Sequence, residues 1–366
     1  MQVASAFLTD LLEIDPRPAW LADAEIRLSG RLVQHLAFPA EHLPGHVTIG
    51  NSSRAPWFVL PAPRTTEADL RFRLFGPAYD RRQAKVELVG FALPKMIFRY
   101  DGASRGRVDR LRSGLMHMVK RGAFLRADRF VVETEAVATA LGQRLKISPD
   151  LIAVVHNEPH AIFRDGSFRP NRWTGAGTIR LLFPARGYSH KNHGILAAVH
   201  QACRDHHAID VEIGVTLRDE EWDALSPQKQ RGLVNHGEVT PSGLKELYAS
   251  AHAVIFPSLI ECASATPLEA RVLGLPLLAS DRDLVSGSAG SANVLFDPLD
   301  PMSAAEAVRI LVADRQRLYD DAARDAEAYR VALKERSRTL AYVEIIDGLL
   351  DSEPWAGSVT SQPIHG

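Results

Sequence analysis

From Thr178 onward, short apolar runs alternate with segments whose apolar residues recur at helical spacing. Ile179–Ala185, Asp210–Val215, Leu233–Gly237, His252–Ser258, Leu275–Ser280 and Ala292–Asp297 read as strands. Asn192–His206, Ser242–Ser250, Pro267–Leu273 and Met302–Ala313 read as the helices between them. The strand segments are apolar along their length rather than at every second residue. They therefore predict a parallel sheet covered on both faces. The first half is less regular. Strands are expected at His46–Asn51, Ala68–Phe75, Lys85–Ala92, Asp128–Thr134 and Leu151–Asn157, and helices at Ser5–Leu12, Gly106–Leu125 and Thr134–Arg144. Long loops fall at Arg54–Asp69 and Leu93–Arg105, and the Gly-, Pro-, Arg- and Asn-rich segment Arg164–Gly177 reads as a linker. The expected division is a first domain at 1–170, a second at 177–345 and a tail at 346–366.

A length of 366 residues suits two such Rossmann-like domains. With 46% hydrophobic and 24% charged residues, the composition excludes a disordered, collagenous or coiled-coil chain. No apolar run reaches the roughly 18 residues of a membrane span, and Asp10, Glu13 and Asp15 interrupt any signal-peptide pattern, so a cytoplasmic protein is expected. The two cysteines, Cys203 and Cys262, cannot form a disulfide framework.

The net charge of -1 conceals a division, because residues 1–170 carry 24 basic and 18 acidic residues and the excess beyond them is acidic. Ten basic and three acidic residues lie between Lys95 and Arg129. In that stretch Val108, Leu111, Leu115, Met118, Val119 and Leu125 fall near helical spacing, with Arg107, Arg110, Arg112, Lys120 and Arg121 elsewhere on the wheel. This is either an ordinary helix with its apolar face in the core or an amphipathic helix that lies on an anionic membrane. Scattered aromatics and near-neutral charge argue against nucleic-acid binding.

The chemistry is concentrated after two strands. Following His252–Phe256, the sequence PSLIECASATPLEARVLGLPLLASD places Glu261 before a loop of small residues and Glu269 in the helix beyond it, with seven residues between them. Pro267 suits a helix start and Gly274 its end, so Cys262–Thr266 is a loop whose backbone N–H groups point outward at a helix start, an anion-binding geometry. Glu261 can then reach a group beside the anion, and Glu269 a diol on the other side. The alternative is a first-turn carboxylate favoured by the helix dipole and a solvated loop residue. After Ile179–Pro184, ARGYSHKNHG sets Arg186 and Lys191 five residues apart on a strand-to-helix turn. Two such cations suit a diphosphate, though Lys191 could also be a solvated helix-start residue.

These motifs resemble the retaining glycosyltransferases of family 4. PSLIECASATPLEA followed by GLPLLASD is similar to that family's E-x7-E signature, and ARGYSHKN to its G-R-x4-K-N turn, with Ala185 where Gly is usual. LVNHGEVTPSGLKELYASAHAVIFPS, ADRFVVET and IAVVHNEPH extend the resemblance from about Ala127 to Asp314. LFGPAYDRRQAKVELVGFALP further resembles a bacterial subset that builds surface polysaccharide and lipopolysaccharide. The resemblance implies the GT-B fold, two Rossmann-like domains whose parallel sheets face a central cleft. It implies that Arg186 and Lys191 bind the donor diphosphate, Glu269 the ribose hydroxyls, and Glu261 the hydroxyls of the transferred sugar. Ser264–Thr266 would meet the phosphate, while Gly214, Val215 and Thr216 with Glu238 and Val239 would border the base. His156 and Asn157 end a first-domain strand and read as structural or as donor contacts.

Two departures from the family are legible. Ala263-Ser264 replaces the usual Phe-Gly pair, which narrows the phosphate loop, and QVASAFLTDLLE reads as the helix after the family's opening strand, so that strand is expected to be missing. Asp281-Arg282-Asp283 matches a D-x-D metal motif but follows a Rossmann-type strand and reads as a solvated loop. The expectation is a metal-independent, cofactor-free transferase that takes a UDP- or GDP-linked sugar to a glycan or lipid-linked acceptor. Its rivals are a degenerate nucleotide-binding module and a GT-B sugar-nucleotide epimerase.

Overall fold

The computed structural model describes residues 2–33, 36, 38–43, 45–50, 68–77, 79, 82–98, 107–282, 290–335 and 337–351. Most of the two expected loops at Arg54–Asp69 and Leu93–Arg105, the end of the expected His46–Asn51 strand, Asp283 and most of the tail lie outside the described residues, as do the side chains of 107–113.

Two compact units divide the chain, one formed by the described residues up to Asn157 together with a C-terminal helix, the other by Glu158–Glu335. In the first, α1 (Gln2–Glu13) precedes β1 (Glu25–Ser29), the short helix α2 (Gly30–Val33) and β2 (His46–Gly50). β1 and β2 form a parallel pair of their own. β1 is not among the strands expected from the sequence, although Ile26 and Leu28 alternate with Glu25 and Arg27 as a half-buried strand requires. A four-stranded parallel sheet then runs in sequence order through β3 (Ala68–Arg73), β4 (Ala84–Gly90), β5 (Arg129–Val132) and β6 (Ile152–Val154). Between these strands come α3 (Pro94–Ile97), α4 (Arg107–Phe124) and α5 (Glu135–Leu145). The Thr134 hydroxyl caps α5 by accepting from the Val137 amide at 3.2 Å.

The second unit holds six parallel strands: β7 (Ile179–Phe183), β8 (Val211–Val215), β9 (Leu233–Asn235), β10 (Ala253–Phe256), β11 (Leu277–Ser280) and β12 (Asn293–Phe296). β10 and β11 are buried along their whole length; their one polar residue, Ser280, donates its hydroxyl to the Phe256 and Ser258 carbonyls. The connecting helices are α6 (Leu196–His207), α7 (Asp219–Asp223), α8 (Pro227–Gln230), α9 (Pro241–Ser250), α10 (Ala265–Leu273), α11 (Pro301–Ala313) and α12 (Arg315–Glu335). Strand order is β12-β11-β10-β7-β8-β9. The chain winds outward from β7 to β9, returns to β10 and winds outward the other way. The order therefore reverses between β7 and β10, and in open α/β sheets ligands bind outside the carboxyl ends of the strands at that reversal.

Two domain assignments from the sequence differ from the structure. Residues 164–177 are no free linker, because Phe163 and Phe168 are buried in the core of the second unit and Lys245 pairs with Asp165 at 2.7 Å. Trp173 also donates its amide to the Tyr319 hydroxyl at 2.9 Å. The helix α13 (Arg338–Leu350) belongs to the first unit, not the second. Tyr342 packs edge-on against Phe7 at 5.4 Å and tilted on Phe72 at 5.2 Å, and Val343, Ile345 and Ile346 join the same core as Leu88 and Val131. No described helix is long and apolar enough to cross a membrane.

Candidate active site

The loop after β7 and the loop after β10 flank the reversal of strand order, and they carry Arg186, Lys191, Glu261 and Ser264. The backbone joins them directly, since the Leu259 amide donates to the His190 carbonyl at 2.8 Å. Thr266 closes the same gap from the helix side, donating its hydroxyl to the Pro184 carbonyl at 3.3 Å.

Lys191 and Glu261 meet across this junction. The ammonium Nζ lies 2.7 Å from Glu261 Oε1, 3.4 Å from the Ser264 hydroxyl and 5.2 Å from the Phe256 ring centroid. Glu261 is 5% exposed and the Lys191 side chain 13%, so neither is a solvated surface residue. An ammonium has three N–H donors. The Ser264 hydroxyl accepts one of them and Glu261 is held as an ion pair, so donor capacity is left for a further acceptor. Asn192 follows in the left-handed conformation at φ 62 and donates Nδ2 to the Pro298 carbonyl at 2.7 Å, which fixes the end of the turn. The His193 ring packs tilted on Phe183 with centroids 4.6 Å apart, and burial, helped by the neighbouring Lys191 charge, lowers its pKa to about 4. It is a neutral side chain at physiological pH.

Helix α10 begins where the sequence placed an anion-binding turn. Ser264 is its N-cap residue, and Ala265 and Thr266 are its first two residues; Gly274 closes it at φ 70. Pro267 therefore sits in the first turn rather than at the first position. Glu269, one turn in, is 1% exposed, and its Oε2 accepts from the Tyr248 hydroxyl at 2.7 Å. Oε1 has no hydrogen-bond partner among the described residues. Burial raises the carboxyl pKa to about 7 against the opposing effect of the Tyr248 hydrogen bond. Tyr248, on α9, is fully buried and was not singled out by sequence, although it lies in the L-x-x-l-Y stretch.

Arg186 is occupied by a different partner. Its Nε donates to both oxygens of Glu221 at 3.1 Å and its Nη2 to Oε1 at 2.9 Å, while Nη1 lies 3.6 Å from Glu238 Oε1. Glu238 is held in turn by Arg218, through Nε at 2.8 Å and through a second bond from Nη2. Two arginines and two glutamates thus form one network at the carboxyl ends of β7, β8 and β9. Glu221 and Arg218 carried no motif in the sequence; an acidic helix start, DEEWD, was their only mark.

The remaining sequence candidates are placed as follows. Gly214 and Val215 end β8, with Thr216 buried beyond them; a Cβ on Gly214 would stand 3.0 Å from His236 Nε2. Val239 packs partly buried against the same core. In the first unit, the buried amide of Asn157 accepts from Arg338 Nη1 on α13 at 2.7 Å, and His156 Nδ1 lies 3.2 Å from the Glu133 carbonyl.

Residues 178–314 match the family model described as group 1 glycosyl transferases. The match covers a little over a third of the chain. It spans the six strands of the second unit and all the residues of the β7 and β10 loops. No curated protein sequence matches the chain. Among solved structures, the chain is similar to sucrose-phosphate synthase from Thermosynechococcus elongatus (17% identity, TM-score 0.55, covering 74% of this chain and 69% of that one). It is similar to WaaG, a glycosyltransferase involved in lipopolysaccharide biosynthesis (16% identity, TM-score 0.54, 72% and 78%). It is also similar to S. aureus TarM, solved as a mutant in complex with UDP, at 14% identity and TM-score 0.51, covering 75% of this chain. The chain spans about half the length of TarM, 52%. The fold shared with these neighbours is the GT-B fold of glycosyltransferases.

Proposed function

We propose that this protein is a retaining, metal-independent glycosyltransferase that moves a sugar from a UDP- or GDP-linked donor to a glycan or lipid-linked glycan in cell-surface polysaccharide synthesis. The observation that carries the reading is the junction between β7 and β10. There Lys191, Glu261, Ser264 and the first amides of α10 converge at the switch point of a group 1 glycosyl transferase domain. In this reading the donor diphosphate sits against the Ser264–Thr266 amides and takes an N–H of Lys191 and the Nη1 end of Arg186. Both cations stabilise the charge that develops on the leaving diphosphate, the service a divalent cation would otherwise perform. Glu261 receives hydroxyls of the transferred sugar, and the unpartnered Oε1 of Glu269 receives a ribose hydroxyl. The glycosidic bond to the phosphate oxygen breaks, a bond to the acceptor oxygen forms on the same face, and the departing phosphate oxygen takes the acceptor proton. UDP in the TarM complex and the lipopolysaccharide role of WaaG support this choice of donor and acceptor classes.

A lipid-linked acceptor requires proximity to a membrane surface, and α4 offers a means. Leu115, Met118 and Val119 are 61%, 64% and 49% exposed, and Leu125 just beyond the helix is exposed as well. The apolar residues of this helix end that are buried are Ala123 and Phe124, the latter packed on Phe91. The stripe at 115, 118 and 119 is thus not a core face. With Lys120 and Arg121 beside it, it suits peripheral docking on an anionic inner leaflet from the cytoplasmic side.

A thermal-unfolding screen against nucleoside diphosphates and their sugar conjugates tests the donor assignment. UDP or GDP at a hundred times its dissociation constant is expected to stabilise the fold by about 2.7 kcal/mol. No shift with any nucleotide contradicts the reading.

A further inference from the structure

Arg186 does not stand alone in its turn. A free guanidinium on a five-residue loop would sample many rotamers, and each would cost ordering entropy when a diphosphate arrived. Glu221 removes that freedom. It receives Nε and Nη2 on the side edge of the guanidinium, in the bidentate geometry that fixes the guanidinium plane. Glu221 is itself fixed, because its Oε2 accepts from the Arg218 amide at 3.1 Å in the first turn of α7. Burial alone would raise its pKa, but hydrogen bonds from Arg186 and from the amides of Arg218 and Gly187 outweigh that, so it stays ionised below the usual carboxylate range. Gly187 is required for this approach, since a Cβ there would stand 2.9 Å from the Glu221 Cβ.

We infer that Glu221 is a positioning residue for the donor diphosphate: it anchors the Nε/Nη2 edge of Arg186 so that the Nη1 end is presented to the phosphate oxygens. This rests on the proposed role of Arg186. Glu238, the other carboxylate near Nη1, already accepts two bonds from Arg218 and lies 3.6 Å away, beyond hydrogen-bond range. The Nη1 end is therefore the one that a phosphate can claim.

The sign of the effect separates this role from simple charge competition. Were Glu221 only a counter-ion, its neutralisation would make the site more positive and tighten the binding of an anion. As a positioning residue, its loss weakens binding. Glu221→Gln keeps the shape but turns an N–H donor toward the guanidinium, which frees Arg186 to rotate. Calorimetric titration of UDP and GDP into the full chain is expected to give about tenfold weaker binding for Glu221→Gln. In an Arg186→Ala background the same change is expected to have no further effect, because a positioning residue acts through the group it positions. Glu221→Gln that binds as tightly as wild type or tighter overturns the inference, as does an undiminished loss in the Arg186→Ala background. Should Glu221→Gln unfold, Gly187→Ala, which displaces Glu221 without altering its charge, supplies the same comparison. If wild type binds neither nucleotide, the donor reading and this inference fall together; if wild type binds and only the variant test fails, the donor reading stands.

Discussion

Glu269 is the residue where function and stability pull in opposite directions. Its carboxyl is buried with a pKa of about 7, and only one of its oxygens has a partner among the described residues. In the unfolded chain it loses its proton near the ordinary carboxylate value, whereas in the folded chain it holds the proton up to about pH 7. The folded state binds more protons across that window, so stability falls as pH rises through it and then levels off. The whole effect is about 3 kcal/mol. Glu269→Gln removes the titration. Denaturant unfolding at pH 4 and pH 8 is expected to show the variant gaining on wild type by about 3 kcal/mol between the two, and a difference that does not change with pH contradicts the assignment. The E-x7-E spacing identified Glu261 and Glu269 without a structure, but not their environments. Tyr248 is 21 residues from Glu269 in the chain, and Glu221 is 35 from Arg186. Only strand order brings these side chains together.

At the scale of elements, what the sequence revealed depended on burial. The inner strands β7, β8, β10 and β11 are almost wholly buried, so their apolar runs stand out; β1 escaped because Ile26 and Leu28 are its only apolar residues. The segment at 164–177 was misread because its glycines, prolines and arginines outnumber Phe168 and Trp173, the anchors that seat it on the second unit. Sequence periodicity recognised α4 as amphipathic but could not say whether its stripe faced core or solvent. The exposure of Leu115, Met118 and Val119 supports a surface role. Co-sedimentation with vesicles that contain anionic lipid is expected to fall when Met118 and Val119 are both replaced by Glu, while binding to neutral vesicles stays weak for both proteins. Equal sedimentation of variant and wild type with anionic vesicles would remove membrane docking from the account.

The molecule as a whole is two parallel-sheet units, and the residues proposed to hold the donor diphosphate, Arg186, Lys191 and Ser264–Thr266, belong to one of them, Glu158–Glu335. Within that unit the 3.6-residue and strand-length patterns of the sequence translate into a doubly wound sheet, and the single reversal of strand order collects residues 70 positions apart, Lys191 and Glu261, into an ion pair. The acidic excess of the second half does not oppose a diphosphate there, because Glu221, Glu238 and Glu261 are each engaged by a cation. The central claim is that Lys191 grips the donor diphosphate. Calorimetric titration of UDP and GDP into the full chain and into Lys191→Ala, at a temperature where both are folded, tests it most directly. Wild type is expected to bind saturably and the variant at least tenfold more weakly, the scale of a charge-assisted hydrogen bond. Unchanged affinity in Lys191→Ala, or no binding of either nucleotide to wild type, would contradict it.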